Sequence, residues 1–209
     1  MQFCGENGIL TARLGGEILR IEPWGKDSLR VRATRFSKFT DQDWALIETP
    51  EKCQAVVEIG EEDHWVGDGT IDKKEIASIT NGRIKAVVNF RGIITYYRDG
   101  EQFLREYFRF YDGTLCKESR CLKVVNREWK GVIGGSEYQL NVKFESNDGE
   151  KIFGMGQYQQ PYMDLKCISH SASDHFHYIR LVFPGNSEIP VNCPVQPFYI
   201  LNGNRLSES

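Results

Sequence analysis

Apolar and polar residues alternate with a period of two along most of the chain between residues 9 and 153. The pattern is clearest at residues 18–22, 29–33, 54–59 and 139–145. Because successive side chains of a strand point to opposite faces of a sheet, this alternation predicts strands with one face on a core and one face in water. No stretch shows a sustained helical period, and the pattern near residues 115–128 is only weakly helical.

Two turn signals predict β-hairpins. Asn81-Gly82 separates the alternating residues 76–80 from residues 83–89, and Asp99-Gly100 separates residues 93–98 from residues 103–107. An Asn-Gly or Asp-Gly pair between such runs is the strongest short signal for a hairpin. Many short strands divided by turn signals predict an all-β fold, specifically an antiparallel β-sandwich.

The composition is that of a folded domain without a strong overall charge. The chain has 209 residues, of which 40% are hydrophobic and 26% charged, and its formal net charge is -3. This length suits one domain with or without an appendage. A small negative charge offers no field to hold a nucleic-acid backbone, so no nucleic-acid partner is expected. Arg30 and Arg32 alternate with apolar residues and are predicted to lie on the solvent face of a strand.

The N-terminus and the cysteines favour a cytoplasmic protein. The first residues lack a basic stretch followed by an apolar one, and no run approaches the ~20 apolar residues of a membrane span. We therefore expect no membrane partner, and free thiols rather than disulfides. Cys116 and Cys121 are spaced too widely for a C-x-x-C motif.

The character of the sequence changes after Lys166. Residues 169–209 mix histidine, serine, proline and asparagine with short apolar pieces. Two short strands are possible within residues 181–201, but Pro190, Pro194 and Pro197 oppose a central strand there. An irregular C-terminal tail with frayed last residues is predicted.

Residues 154–166, GMGQYQQPYMDLK, are rich in groups that hold sugars. An amide donates to one hydroxyl and accepts from another, and a tyrosine ring packs on the apolar face of a pyranose. The predicted carbohydrate contacts are Gln157, Tyr158, Gln159, Gln160, Tyr162 and Asp164. A turn or capping role for Asp164, and plain surface exposure for the others, are the alternatives.

Four segments in order resemble the N-terminal β-sandwich of glycoside hydrolase family 31, which includes α-glucosidases and α-xylosidases. They are residues 21–32 (IEPWGKDSLRVR), 79–86 (ITNGRIKA), 95–101 (TYYRDGE) and 144–157, the last with a Gly-x-Gly-Gln loop. The resemblance covers roughly residues 10–166. It implies a galactose mutarotase-like sandwich over residues 1–166, a divergent, partly ordered tail over residues 167–209, and a carbohydrate partner of the α-glucoside or α-xyloside class.

The resemblance also implies a catalytic barrel that this sequence does not contain. A (β/α)₈ barrel needs about 250 residues, and residues 167–209 are too few. The family's nucleophile and acid/base aspartates lie on that barrel, so no catalytic residue is assigned here and no cofactor is expected. The chain is expected to be a truncated product, inactive alone, whose partner in a full-length enzyme is the barrel.

Other residues that could bind a metal or a sugar have simpler structural explanations. His170, Asp174, His175 and His177 have residue types that suit zinc, but their segment has lost the family pattern, and we expect no metal site. Trp24 is predicted to be structural. Trp44, Trp65 and Trp129, like Trp24, could also be sugar platforms, although packing in the core or at a sheet edge is the commoner use of tryptophan. Trp65, in a polar stretch interpreted as a loop, is a more plausible exposed ring than Trp24.

Three functional hypotheses remain open from the sequence. The first is the non-catalytic carbohydrate-binding sandwich of a family 31 glycosidase. The alternative is a stand-alone aldose mutarotase-like enzyme, which needs a general acid and base, commonly Glu and His; His64 is the only histidine in the matched region. The third is a product that cannot fold alone, because a missing barrel leaves an apolar face exposed.

Overall fold

The computed structural model describes residues 1–36, 38–39, 54–66, 70–108, 124–131, 133, 138–145, 178–183 and 198–202. Within these ranges the chain is all β, as the alternating pattern predicted. The strands are β1 (Gln2–Glu6), β2 (Ile9–Leu14), β3 (Glu17–Pro23), β4 (Ser28–Arg35), β5 (Val56–Val66), β6 (Thr70–Asn81), β7 (Ile84–Val88), β8 (Ile94–Arg98), β9 (Glu101–Arg105), β10 (Arg127–Gly131), β11 (Tyr138–Glu145), β12 (Tyr178–Phe183) and β13 (Phe198–Asn202).

The strands form three sheets with the orders β1-β2-β3-β4-β13, β5-β6-β7-β8-β9 and β10-β11-β12. Every pairing among them is antiparallel. An isolated bridge between Glu106 and Phe144 joins the end of the second sheet to the third. The first sheet packs on the second through β1, β2 and β3 against β5 and β6. The arrangement is an antiparallel β-sandwich, as predicted.

The core lies between these layers and is built from one side of each alternating strand. Its fully buried side chains include Leu19 and Ile21 of β3, Val31 of β4, and Ile79 of β6, with Tyr96 of β8 the largest. Their neighbours in sequence point to the opposite face of the sheet. Burying these side chains contributes roughly 1.5–3 kcal/mol each relative to exposure.

Tight turns fix the registers of the hairpins. Asp99 and Gly100 both have positive φ and connect Arg98 to its partner Glu101, as the Asp-Gly signal predicted. The Asn81-Gly82 signal also marks a hairpin, but the loop residues are Gly82 and Arg83, because Asn81 still pairs with Ile84.

Asn81 instead fastens its hairpin to the first sheet. Its buried Nδ2 donates to the carbonyl oxygens of Gly25 at 2.8 Å and Ser28 at 2.7 Å. The Arg83 amide donates to Asp27 Oδ1 at 2.8 Å, and a Cβ on Gly82 would lie 2.0 Å from that same oxygen. The turn between β3 and β4 is therefore held against the hairpin of β6 and β7.

Two interpretations of the sequence need correction. Trp65 is exposed, as predicted, with 66% of its surface accessible, but it lies in β5 opposite Ile71 and not in a loop. Arg30 and Arg32 do face away from the core, yet each is only 5% exposed. The alternation correctly predicted that these arginines face away from the core. It wrongly predicted that they are solvated, because other side chains cover that face.

Strands β12 and β13 come from the segment predicted as an irregular tail. Strand β12 pairs with β11, and β13 pairs with β4 at the edge of the first sheet. Two short strands were predicted within residues 181–201, and the first observed strand begins earlier, at Tyr178. The three prolines that oppose a central strand, Pro190, Pro194 and Pro197, lie outside the described residues.

Candidate functional site

The residues predicted to contact sugar lie outside the described part of the chain. These are Gln157, Tyr158, Gln159, Gln160, Tyr162 and Asp164. Trp44 and the histidine cluster of residues 170–177 also lie outside it. The described residues instead reveal two clusters of charged side chains, one on the outer face of the first sheet and one between the sheets.

The outer cluster centres on Glu22 of β3. Arg30 Nε donates to Glu22 Oε1 at 2.5 Å, Arg32 Nη2 lies 3.0 Å from the same oxygen, and Arg20 Nη2 lies 3.4 Å from Oε2. The antiparallel registers cause this convergence, since Glu22 is directly opposite Arg30, and Arg20 is opposite Arg32. One carboxylate thus serves three guanidinium groups.

Aromatic rings cover two of these arginines. The guanidinium carbon of Arg30 lies 4.0 Å from the centre of the Trp24 ring, and that of Arg32 lies 5.2 Å from the centre of Phe39. Both distances suit cation–π contacts. Trp24 is therefore structural, as expected, and the rings explain in part why Arg30 and Arg32 are buried.

A cleft of about 510 Å³ opens beside this cluster, above β1, β2 and β3. Outward side chains of these strands form its floor, including Thr11, Arg13 and Arg20, and Lys38 and Phe39 lie at its edge. Cys4 and Glu6 line the same cleft, and the hydrogen bond to Glu6 raises the pKa of the Cys4 thiol above its ordinary value. A raised pKa keeps this thiol protonated at neutral pH, which makes it a poor nucleophile.

The inner cluster is built around Glu106, whose side chain is fully buried. Arg127 Nη1 donates to both of its carboxylate oxygens at 2.6 and 2.7 Å. Oε2 also accepts from the amide of Ile94 at 3.0 Å and from Asn126 Nδ2 at 2.6 Å. These donors come from strands β8 and β10 and the segment before β10, so the cluster ties the second sheet to the third.

Arg127 extends the inner cluster to the first sheet. Its Nε donates to Glu17 Oε1 at 2.5 Å, and its Nη2 donates to the carbonyl oxygen of Gly92 at 2.7 Å. Glu17 Oε2 accepts from Trp129 Nε1 at 2.9 Å. Arg127 is therefore paired with a residue that lies 110 positions away in the sequence.

Neither cluster has the arrangement that glycoside hydrolysis requires. That chemistry uses two carboxyl groups facing one bond, about 5–5.5 or 6.5–9.5 Å apart. The two carboxyl groups of the inner cluster, Glu17 and Glu106, are both bound to Arg127, and the single carboxyl group of the outer cluster, Glu22, is enclosed by arginines. The outer cluster and its cleft can instead bind groups that accept hydrogen bonds, because guanidinium groups present several donors and a positive charge.

The described residues give no support to a mutarotase or metal centre. His64, the single histidine among them, packs on Phe90 with ring centres 4.7 Å apart and lies opposite Asp72 on the ribbon of β5 and β6. The described ranges hold no group of three or more potential metal ligands and no helix able to cross a membrane.

No model of a protein family matches the chain. It is 42% identical over 166 residues to an uncharacterised family 31 glucosidase, ORF2, of Pseudescherichia vulneris, covering 75% of this chain and 28% of that protein. Among solved structures, a GH31 α-xylosidase from a soil metagenome in complex with xylose has a TM-score of 0.59 and 34% identity, covering 79% of this chain and 24% of that one. A xylosidase from Aspergillus niger has a TM-score of 0.48 and 19% identity.

The resemblance predicted from the sequence is thereby confirmed. The chain is related to family 31 glycosidases, and it spans about a quarter of the length of the relatives that it matches.

Proposed function

We propose that this chain is a carbohydrate-binding β-sandwich of a family 31 α-glycosidase that does not itself cleave glycosidic bonds. The observation that carries the proposal is the 42% identity over 166 residues with a family 31 glucosidase. The proposed absence of hydrolysis is supported by the burial of Glu22 and Glu106, whose carboxylates are both bound to arginines. A cytoplasmic location remains a prediction from the N-terminal sequence.

The sugar contacts that we propose are the amides and tyrosines of the Gly-x-Gly-Gln loop. Gln157, Gln159 and Gln160 would bind hydroxyl groups, while Tyr158 and Tyr162 would pack on a pyranose ring. The proposed ligand class is α-xylosides and α-glucosides. A catalytic barrel, as the length of the relatives suggests, is the proposed partner of this sandwich.

Binding is tested by nuclear magnetic resonance on the full 209-residue chain titrated with xylose, glucose and isoprimeverose. We expect amide shifts concentrated at residues 157–164, and their loss when Tyr158 and Tyr162 are both replaced by alanine. Trp65→Ala is the matched control, because it removes an exposed aromatic ring on β5. Shifts that survive the double substitution would contradict the proposed contacts.

Hydrolysis is tested with p-nitrophenyl α-xyloside and α-glucoside under the same conditions. We expect no turnover above the uncatalysed rate. Turnover that copurifies with the chain would refute the non-catalytic proposal, and polarimetry on fresh α-glucose would detect mutarotation if the alternative activity were present.

A further inference from the structure

The cleft above β1, β2 and β3 has no role in the proposed sugar contacts at residues 157–164. Its floor consists of side chains that alternate with core residues, so it lies on the outer face of the first sheet. At about 510 Å³ it has room for a single sugar ring.

The cleft is cationic although the whole chain has a net negative charge. Arg13, Arg20 and Lys38 line it, whereas Glu6 is the acidic side chain among its lining residues. Arg20 shares the Glu22 carboxylate with two other arginines and lies farthest from it, at 3.4 Å. Arg13 makes no ion pair with any residue in the described part of the chain.

The register of β2 and β3 brings the two arginines to one place. Thr11 is directly opposite Arg20, and Arg13 is opposite Ile18. Arg13 and Arg20 are therefore diagonal neighbours on one face, at a separation that long side chains span easily. Two guanidinium groups at this spacing can donate to a single carboxylate or phosphate.

The edge of the cleft supplies an apolar surface beside these charges. Phe39 and Ile18 are both half-buried and line the cleft together with the arginines. An aromatic ring next to a cationic group suits a ligand with an apolar ring face and an anionic substituent.

We propose that this cleft binds an anionic monosaccharide, with Arg13 and Arg20 holding its carboxylate or phosphate and Phe39 lying against its ring. This inference rests on the proposed carbohydrate function for its choice of a sugar. Hexuronates and sugar phosphates both carry a negatively charged substituent on a sugar ring. Titration with one member of each class separates the two.

The full chain is titrated with glucuronate and with glucose 6-phosphate, and binding to the cleft is measured by the amide shifts of β2 and β3, which separates it from sugar bound at residues 157–164. Glucose and inorganic phosphate are the matched ligands that lack the charge and the ring, respectively. We expect at least one anionic sugar to bind more tightly than either matched ligand, with an affinity that falls as salt is added.

Arg13→Gln is expected to weaken that binding about tenfold, because it removes a charge-assisted pair of hydrogen bonds. Arg105→Gln is the control: it removes the same charge from an exposed strand of the second sheet, where Arg105 lies 3.6 Å from Glu145. The melting temperatures of both variants are compared with that of the unmodified chain to establish that they fold.

Each further outcome overturns part of the inference. Equal binding of glucose, or binding that Arg13→Gln leaves unchanged, excludes the cleft as an anionic sugar site, and equal affinity for inorganic phosphate reduces it to a site for a bare anion. Failure of all four ligands to bind excludes the site altogether. The proposed function fails separately, when xylose, glucose and isoprimeverose shift no resonance of residues 157–164.

Discussion

The two charged clusters of this sandwich use the same residue types and reach opposite charge balances. Between the sheets, one guanidinium, that of Arg127, lies between the carboxylates of Glu17 and Glu106. On the outer face, one carboxylate, that of Glu22, is shared by three arginines. These ion pairs therefore combine two acids with one base in the inner cluster, and one acid with three bases in the outer cluster.

The difference matters because the outer cluster borders a cleft through Arg20, whereas the inner cluster is buried between the sheets. The spare acceptor positions of Glu106 and Glu17 are filled by a backbone amide, an asparagine amide and an indole N–H. Such a cluster is closed to solvent and ligands. On the outer face Arg20 lines a cleft that opens to solvent, where a ligand can accept hydrogen bonds from it.

Breaking the inner cluster should have the largest effect on stability. Glu106→Gln leaves Glu17 as the carboxylate that pairs with Arg127, but it turns a side-chain NH₂ toward donors that Glu106 now accepts from. We expect a loss of about 3 kcal/mol in the free energy of unfolding, because charge-assisted hydrogen bonds are lost and buried donors are left facing one another. Urea denaturation measures this, and Glu61→Gln on the exposed ribbon is the control, with an expected change below about 0.5 kcal/mol. A loss below about 1 kcal/mol in Glu106→Gln would contradict the importance of these buried hydrogen bonds.

Breaking the outer cluster should cost less and respond to anions. Glu22→Gln leaves three arginines without their shared carboxylate, and we expect a loss of about 2 kcal/mol. Because a bound anion stabilises the native state, inorganic phosphate should raise the melting temperature of this variant more than that of the unmodified chain. Glu58→Gln, which removes an exposed acid 3.7 Å from Lys85, is the control. Identical phosphate responses in all three proteins would contradict anion binding by the outer arginines after the loss of Glu22.

A buried hydrogen-bonded contact without charged groups provides a reference for the losses in unfolding free energy expected at both clusters. Asn81→Ala removes two hydrogen bonds to the carbonyl oxygens of Gly25 and Ser28. We expect a loss of about 1–2 kcal/mol in urea denaturation, since these oxygens lose their donor where the turn is packed. Asn7→Ala tests the alternative, that loss of an asparagine from any hairpin is enough, because Asn7 has positive φ but lies in an exposed turn. An Asn81→Ala loss no larger than that of Asn7→Ala would remove the special role of the contact.

The fold of this chain was predictable from local sequence because its signals are local. Residues 29–33 alternate so regularly that Leu29 and Val31 were correctly expected to face the core, and Asp99-Gly100 specified its turn from two residues alone. The polar stretch of residues 62–69 around Trp65 was interpreted as a loop, because the pairing of residues 62–66 with β6 cannot be read from the local sequence.

The charged clusters were not predictable, because each depends on contacts between residues far apart in sequence. No residue near Glu106 in the sequence indicates that Arg127 is its partner. No residue near Glu17 indicates that Glu17 belongs to the same cluster. Arg30 and Arg32 were predicted to be solvated, and this prediction was wrong. Their burial depends on rings such as Phe39, which lie outside the strand and cannot be inferred from it. The one usable signal was three arginines and one glutamate on outward positions of adjacent strands, residues 20–32, which indicates an unbalanced charged face once the register is known.

An exposed ion pair should show the smallest effect and separate charge from burial. The hydrogen bond from Arg83, with Arg98 3.8 Å away, holds the pKa of Asp99 below its ordinary value of 3.8. Because the pKa is lower in the folded state, the pair stabilises the fold at pH values above 3.8, and this contribution is lost as the pH falls through the folded-state pKa. The difference in urea midpoint between the unmodified chain and Asp99→Asn should therefore be constant from pH 5 to 8 and shrink in more acidic solution. Since the pair is exposed, added salt should diminish that difference, whereas the effect of Glu106→Gln should persist in salt. Equal salt sensitivity of the two variants would mean that burial does not distinguish the inner cluster from an ordinary surface pair.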